Sequence, residues 1–166
     1  MNKTNEIEKL IKKEFNSDER VRFLGSTAGN IICILARHII KASGYGVTST
    51  ILMGELRNLG KKDAKRIMEI FKIKERSPEN ASKILRIIAY AIGLELEIKD
   101  GHSLITKCPY GECVKEHKDP FICNVCLEYN KGVIEAVLGP KFTIDKSKYI
   151  LTDGVCSFTI FKKIKD

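Results

Sequence analysis

Five of the six cysteines in this 166-residue chain lie between positions 108 and 156, and they constrain the fold more than any other feature. Two form a C-x4-C pair, two form a C-x2-C pair, and the fifth stands alone near the C-terminus. Thiolates at such spacings can converge on one soft metal ion, most often a tetrahedral zinc. The candidate ligands, of which a tetrahedral site needs four, are Cys108, Cys113, Cys123, Cys126 and Cys156.

Length and composition indicate one soluble globular domain with an apolar fraction of 43% and a charged fraction of 30%. No stretch approaches the roughly 20 apolar residues that span a bilayer, so no membrane span is expected. Residues 1–15 resemble a charged amphipathic helix rather than a signal peptide. A cytoplasmic location follows, where thiols stay reduced and cysteines serve as metal ligands more often than as disulfides. The abundance of Ile, Lys and Glu is typical of a thermophile.

Hydrophobic periodicity predicts helices first and strands later. Apolar residues recur at helical spacing up to position 93, and from position 94 they alternate with polar ones. Helices are predicted over 17–42, 48–59, 62–73, 77–93 and 120–138, and strands over 94–99, 103–108, 141–151 and 155–164. Glycines at 60, 93 and 139 mark helix ends. The predicted fold is a single α+β domain, with several helices packed on one face of a small twisted antiparallel sheet. Its helical half covers about 1–93 and its metal-centred half about 94–166.

One part of the first helix is unusually small, at Gly25, Ser26, Ala28 and Gly29. A glycine inside a helix costs about 1 kcal/mol relative to alanine, so its presence needs a reason. Two backbones could approach closely here, within the chain or across a dimer. A bend in the helix is the alternative.

The predicted elements allow the thiols to meet. Cys108 ends a strand, Cys123 and Cys126 share one face of a helix, and Cys156 begins the last strand. We expect these four to bind the metal, with Cys113 as a substitute or neighbour. Some could instead be buried thiols that pack as small hydrophobic groups. His102 and His117 could also bind metal but are expected to be exposed, whereas Cys33 is expected in the core.

The C-terminal half resembles the 4-vinyl reductase (4VR) family, which is also described as hydrocarbon-binding. The residues that carry the resemblance are Cys108-Pro109, Cys123, Gly132, Leu138-Gly139 and Asp153-Gly154-Val155-Cys156-Ser157-Phe158, with Leu24, Gly25 and Gly29 in the first helix. The resemblance implies a small-molecule-binding domain with a cysteine-rich metal site beneath a hydrophobic pocket. It also implies a fold shared with TRAPP-type tethering subunits and aromatic-sensor domains, in which dimers are common.

The chain departs from the family at one position. Many members have a further cysteine about seven residues before the last one, where this chain has Tyr149. Cys126 or Cys113 would have to replace it, or the metal is held differently or is absent. Sensor members use an acidic ligand in that strand, and Asp145 is the nearest candidate here.

An apolar pocket with a few polar groups is the usual small-molecule site. Each candidate residue is expected in ordinary core more often than in contact with a ligand. The candidates are Phe23, Ile31, Leu35, Ile88, Tyr90, Phe121, Phe142, Ile144 and Phe158.

These features favour a binding or sensing module for a hydrophobic small molecule over an enzyme. An all-thiolate zinc is typical of structural sites, and the sequence has no phosphate loop, dinucleotide fingerprint or Ser/His/Asp arrangement. The expected partners are that small molecule and a second copy of the chain. The basic segment 57–76 leaves open a ligand-responsive regulator that contacts nucleic acid, although acidic residues interrupt it as on a solvated helix face. A scaffold or tethering subunit is a third candidate, and a reductase or hydrolase a weaker one.

Overall fold

The computed structural model describes residues 17–99, 102–118 and 121–163. The helix predicted over 1–15, the turn predicted at 100–101 and the start of the helix predicted from 120 lie outside these residues. The helices are α1 (Ser17–Ser43), α2 (Tyr45–Ile70), α3 (Pro78–Ala91), α4 (Gly111–His117), α5 (Phe121–Leu138) and α6 (Ile150–Asp153). The strands are β1 (Glu95–Lys99), β2 (His102–Lys107), β3 (Phe142–Lys148) and β4 (Cys156–Lys162).

The four strands form one antiparallel sheet in the order β1-β2-β4-β3. Ile105 of β2 pairs with Cys156 of β4, and Ile144 of β3 pairs with Ile160 of β4. Helices α3 and α5 pack on this sheet, and α2 packs on α5. The predicted α+β class, with helices and a small antiparallel sheet, is confirmed.

Local signals in the sequence explain several details of the fold. Ser77 caps α3 by accepting a hydrogen bond from the Asn80 backbone N–H (3.2 Å), and Pro78 occupies the first helical position. Gly154 has φ of +71° in the turn before β4, where a glycine is favoured. Cys33 is buried in the hydrophobic core.

The helix boundary predicted at Gly60 is wrong, because α2 continues through it from Tyr45 to Ile70. Gly60 instead lies where α2 crosses α5, facing the backbone of Tyr129, and Gly132 of α5 faces the backbone of Arg57. A side chain at either position would hold the helices apart. These glycines serve close helix packing rather than chain termination.

Two short helices, α4 and α6, occur where the sequence predicted a loop and the end of a strand. Residues 111–117 form α4, which begins where the Gly111 N–H donates to the Cys108 carbonyl (2.9 Å) and the Val114 N–H to the Tyr110 carbonyl (3.0 Å). Its buried Val114 anchors a segment that looks polar in the sequence. Strand β3 ends at Lys148 rather than 151, because Ile150 turns inward and starts α6.

The small residues of α1 allow a close approach to another part of the same chain. Gly25 faces Pro109 and the carbonyl oxygen of Ile92, and Gly29 faces the ring of Tyr110. The loop that follows Cys108 therefore lies against α1 at its two glycines, and larger side chains there would displace this loop.

Helix α1 passes a length and composition test for a membrane-spanning helix over Glu19–Ser43, which differs from the sequence expectation. An 18-residue window within it has a mean hydropathy of 1.4, and 17% of that window is buried. Core helices of soluble proteins pass the same test, so the finding by itself assigns no location.

An ion-pair network joins α2 to α5. Arg57 contacts both Glu128 and Glu135, Lys61 contacts Glu135 at 3.0 Å, and Lys131 contacts Glu128 at 2.7 Å. Burial is the largest single influence and raises the pKa of both carboxyls, but the cations around each one together outweigh it. These are Lys131 and Arg57 at Glu128, and Lys61, Arg57 and Lys163 at Glu135. Both carboxyl pKa values therefore lie below their ordinary value of 4.5.

We expect this network to make the fold acid-sensitive. Both carboxyls ionise at lower pH in the folded chain than in the unfolded one, so they stabilise the fold above about pH 4.5. That contribution is lost as the pH falls through their folded pKa values. Urea unfolding between pH 7 and pH 3 should show a falling free energy of unfolding. The Glu135→Gln substitution should make this free energy depend less on pH. Equal pH dependence in both proteins would contradict the assignment.

Candidate metal and ligand centre

Four cysteines line one small cavity at the junction of the sheet and α5. Cys108 follows β2, Cys123 and Cys126 lie on the first turns of α5, and Cys156 begins β4. The cavity has a volume of about 20 Å³, which is close to the space one water molecule needs. The structure thus gathers four of the five sequence candidates from three separate elements.

Cys113 lies elsewhere. It is buried on α4, and its thiol donates to the carbonyl oxygen of Gly29 on α1 over 3.7 Å. It does not line the cavity of the other four. This contact helps to attach α1 to the domain.

Two other candidate ligands, His102 and Asp145, do not line this cavity. His102 is exposed at the start of β2, not in a turn, and its Nδ1 lies 2.7 Å from Thr159 Oγ1. Asp145 is exposed and accepts a hydrogen bond from the Lys146 backbone N–H (2.8 Å). The side chain of His117 lies outside the described residues.

A buried lysine shares the cavity with the cysteines, and it was not predicted from the sequence. The Lys146 ammonium donates to the Cys123 carbonyl oxygen at 2.7 Å and lies 5.4 Å from the ring centroids of Tyr149 and Phe158. The sequence did contain an indication of its burial. Lys146 follows Ile144 by two residues on β3, so both side chains lie on the inward face of the strand.

The surroundings of the thiols shift their pKa values in different directions. The hydrogen bond from the Cys123 thiol lowers the pKa of Cys156 to about 6 despite burial, and the Lys146 ammonium assists. Burial raises the pKa of Cys108 to about 12 and also raises that of Cys126.

The donor chemistry of the cluster suits a soft metal ion. Four sulfurs face a cavity of one-ion size, and Asn130 donates to Cys126 Sγ at 3.5 Å, as outer hydrogen bonds do around metal thiolates. Among the described residues, no group of three or more His, Cys, Asp or Glu side chains has the arrangement of a preformed metal site. Metal binding would therefore draw the sulfurs together and release their protons.

A second, apolar cavity of about 50 Å³ adjoins the cysteine cavity, between α3, α5 and the sheet. Its few polar groups are Ser103, Tyr129 and Asn130. The two cavities share four lining residues, which are Leu94, Ile105, Cys126 and Phe158.

The structure separates the residues predicted to line a pocket. Ile88, Ile144 and Phe158 line the apolar cavity. Phe121 is buried against the Tyr45 ring, with centroids 6.2 Å apart, and Phe142 is half-buried at the start of β3. Four others lie on exposed helix faces, and they are Phe23, Ile31, Leu35 and Tyr90.

Part of the lining of the apolar cavity was not predicted from the sequence. Leu85, Ala89 and Ile92 of α3 and the following loop contribute to it alongside Ile88. Their spacing of three or four residues marks one helix face, but this signal does not distinguish a cavity wall from filled core.

Comparison of the chain with protein-family models, with curated proteins and with solved structures gave no match. The resemblance to the 4VR family therefore stays a prediction, and the function has to be argued from the two adjoining cavities.

Proposed function

We propose that this protein is a binding or sensing module for a hydrophobic small molecule, with a structural zinc site in its cysteine cavity. The observation that carries the proposal is the shared wall between the two cavities, to which Cys126 and Phe158 both contribute. An ion held by the cysteines would fix the floor of the apolar cavity.

The lining of the apolar cavity supports a hydrophobic ligand. Aliphatic and aromatic side chains predominate, and Asn130 and Ser103 offer hydrogen bonds for orientation. Its volume of about 50 Å³ is smaller than the roughly 150 Å³ of a cavity that binds benzene. Ligand entry would therefore require α3 to move away from the sheet.

The zinc would be held by Cys108, Cys123, Cys126 and Cys156. When bound, it would crosslink the end of β2, the first turns of α5 and the start of β4. Four thiolates with one zinc carry two negative charges, and the buried Lys146 ammonium would offset one of them. Such a fully coordinated zinc contributes folding energy rather than chemistry.

The cavity can be tested by filling it. Ala89 is buried against the apolar cavity, whereas Ala91 on the same helix is exposed. We expect Ala89→Met to reduce binding of an apolar molecule at least ten-fold, equivalent to about 1.4 kcal/mol, and Ala91→Met to leave it unchanged. Native mass spectrometry would measure co-purified ligand and zinc together, and calorimetric titration with benzene would serve if no ligand co-purifies.

Two outcomes would contradict the proposal. One is equal benzene binding by the Ala89→Met and Ala91→Met variants. The other is a folded wild-type chain that carries neither metal nor ligand and binds no benzene.

A second candidate function is nucleic-acid contact by the C-terminal end of α2. Arg57 and Lys61 of the basic segment are engaged with Glu128 and Glu135, but other cations line an open groove after α2. These are Lys65, Lys72, Lys74 and Arg76. Salt-dependent DNA binding would support this function, and no binding at low salt would remove it.

A further inference from the structure

Helix α1 buries small residues and exposes large apolar ones, the reverse of the pattern expected for a helix on the surface of a monomer. The face toward the domain carries Gly29, Cys33 and Ala36, which are all buried. On the other faces, large side chains are 38 to 64% exposed. They are Phe23, Leu24, Ile31, Ile32, Ile34, Leu35 and Ile39.

The outward face follows a heptad repeat. Starting at Leu24, steps of four and three residues alternate along the helix, and every position reached is exposed. Those positions are Leu24, Ala28, Ile31, Leu35, His38 and Ala42. We call this row the α1 seam. Alternating steps of four and three bring such a row against another helix of similar pattern.

The exposed area is large enough for a stable dimer. Seven large apolar side chains on α1 and three on the first turns of α2 (Tyr45, Val47 and Ile51) are each about half exposed. At roughly 150 Å² per fully exposed side chain, the low end for an aromatic residue, they present at most about 800 Å². Typical monomers have a largest apolar patch of about 300–600 Å², whereas a stable interface buries about 800 Å² per partner.

We propose that the α1 seam is the dimer interface of this protein, with the seam of a second copy as its occupant. The two helices, each about 40 Å long, would pack seam to seam and be flanked by Ile32 and Ile39. His38 is the one polar position in the row, and polar seam residues set the register of paired helices. A symmetric pair uses the same surface on both copies, which fits a single self-complementary row.

The inner face of α1 argues against a position across a lipid bilayer. Gly29 accepts a hydrogen bond from the Cys113 thiol (3.7 Å), and Gly25 lies against Pro109. A helix surrounded by lipid would have to leave these contacts. A second copy covers the outer face without disturbing them.

The first test places charge in the seam. We expect wild-type protein to sediment at twice the chain mass of 18.7 kDa. Ile31→Glu combined with Leu35→Glu should raise the dimer dissociation constant at least 100-fold, because each charge would be buried twice. The matched control is Ile70→Glu, at an exposed apolar position at the far end of α2, which should remain a dimer. Circular dichroism would verify that the variants stay helical.

The second test does not depend on whether a variant with glutamates in the seam still folds. Ile31 lies near the middle of α1, so parallel seam pairing, or antiparallel pairing with its crossing point there, brings it near its own copy. Under mild oxidation, Ile31→Cys should form a covalent dimer and Ile70→Cys should not. A monomeric wild type, or a dimer that survives both glutamates, would overturn the proposal. A wild-type monomer that binds phosphatidylcholine vesicles through this face would identify the membrane as the occupant instead.

Discussion

Replacing Gly60 by alanine is expected to destabilise the protein by more than about 3 kcal/mol, at or beyond the upper end of usual overpacking effects. The new methyl group would lie 3.0 Å from the carbonyl carbon of Tyr129 and closer still to its oxygen. Both obstacles are backbone atoms of α5, so no side chain can rotate away. The helices would have to separate along their whole contact, which is the most extensive helix pair in the described structure.

The same helix provides a matched control for this prediction. Gly54 lies within α2, and no atom is within 4 Å of the position that a methyl group would occupy there, so Gly54→Ala should stabilise the helix by up to about 1 kcal/mol. Gly132→Ala should repeat the loss, because its methyl group would lie 2.9 Å from the Arg57 carbonyl carbon. Urea unfolding at one protein concentration would measure all three changes. Equal stability of the Gly60→Ala and Gly54→Ala variants would show that the helices are not in close contact.

Removal of the proposed zinc ion is expected to have the second large effect. Structural zinc sites contribute on the order of 10 kcal/mol to folding near pH 7, more than the whole stability of many domains. We expect a strong chelator, or Cys126→Ala, to lower the melting temperature by more than about 10 °C. Differential scanning calorimetry with metal analysis of the same samples would measure both quantities.

Cys113 supplies the control for the zinc prediction. It is more deeply buried than the four cavity cysteines but contacts Gly29 instead of lining their cavity. Cys113→Ala should therefore retain one zinc ion per chain and lose only the stability of one hydrogen bond and its packing. Zinc loss in this variant would make Cys113 a ligand. A melting temperature unchanged by the chelator, in protein shown to contain no metal, would leave the four thiols as core residues.

Much of the secondary structure was predictable because local signals and tertiary packing agree. Helix α3 has a serine cap, a proline at its first position and apolar residues on one face, and the structure keeps all three. The strands β1 and β4 were predicted from alternation and lie near the predicted positions. The positions of Cys108, Cys123, Cys126 and Cys156 also followed from this order of elements, since the elements around these four were assigned close to their observed bounds.

The predictions that were wrong concern local sequence patterns that are compatible with more than one structure. A glycine such as Gly60 can end a helix or permit a close crossing, and only the position of α5 decides between them. The segment 111–117 looks polar, yet it becomes helical because Val114 has a core to enter. Lys146 was not considered because the cost of burying an ammonium group depends on acceptors that are distant in sequence, such as the Cys123 carbonyl.

The sequence by itself determined the α+β class, the helical first half, the strand order along the chain and the set of five candidate thiols. Those features depend on periodicity, caps and spacing, which are local. Only the tertiary structure decided that Cys113 contacts α1 while the other four line one cavity, that α2 runs through Gly60, and that the large side chains of α1 face outward. Each of these depends on which surfaces meet, and α1 shows why. Its faces are apolar on both sides, so periodicity cannot distinguish the one that packs on the domain from the one left for a partner.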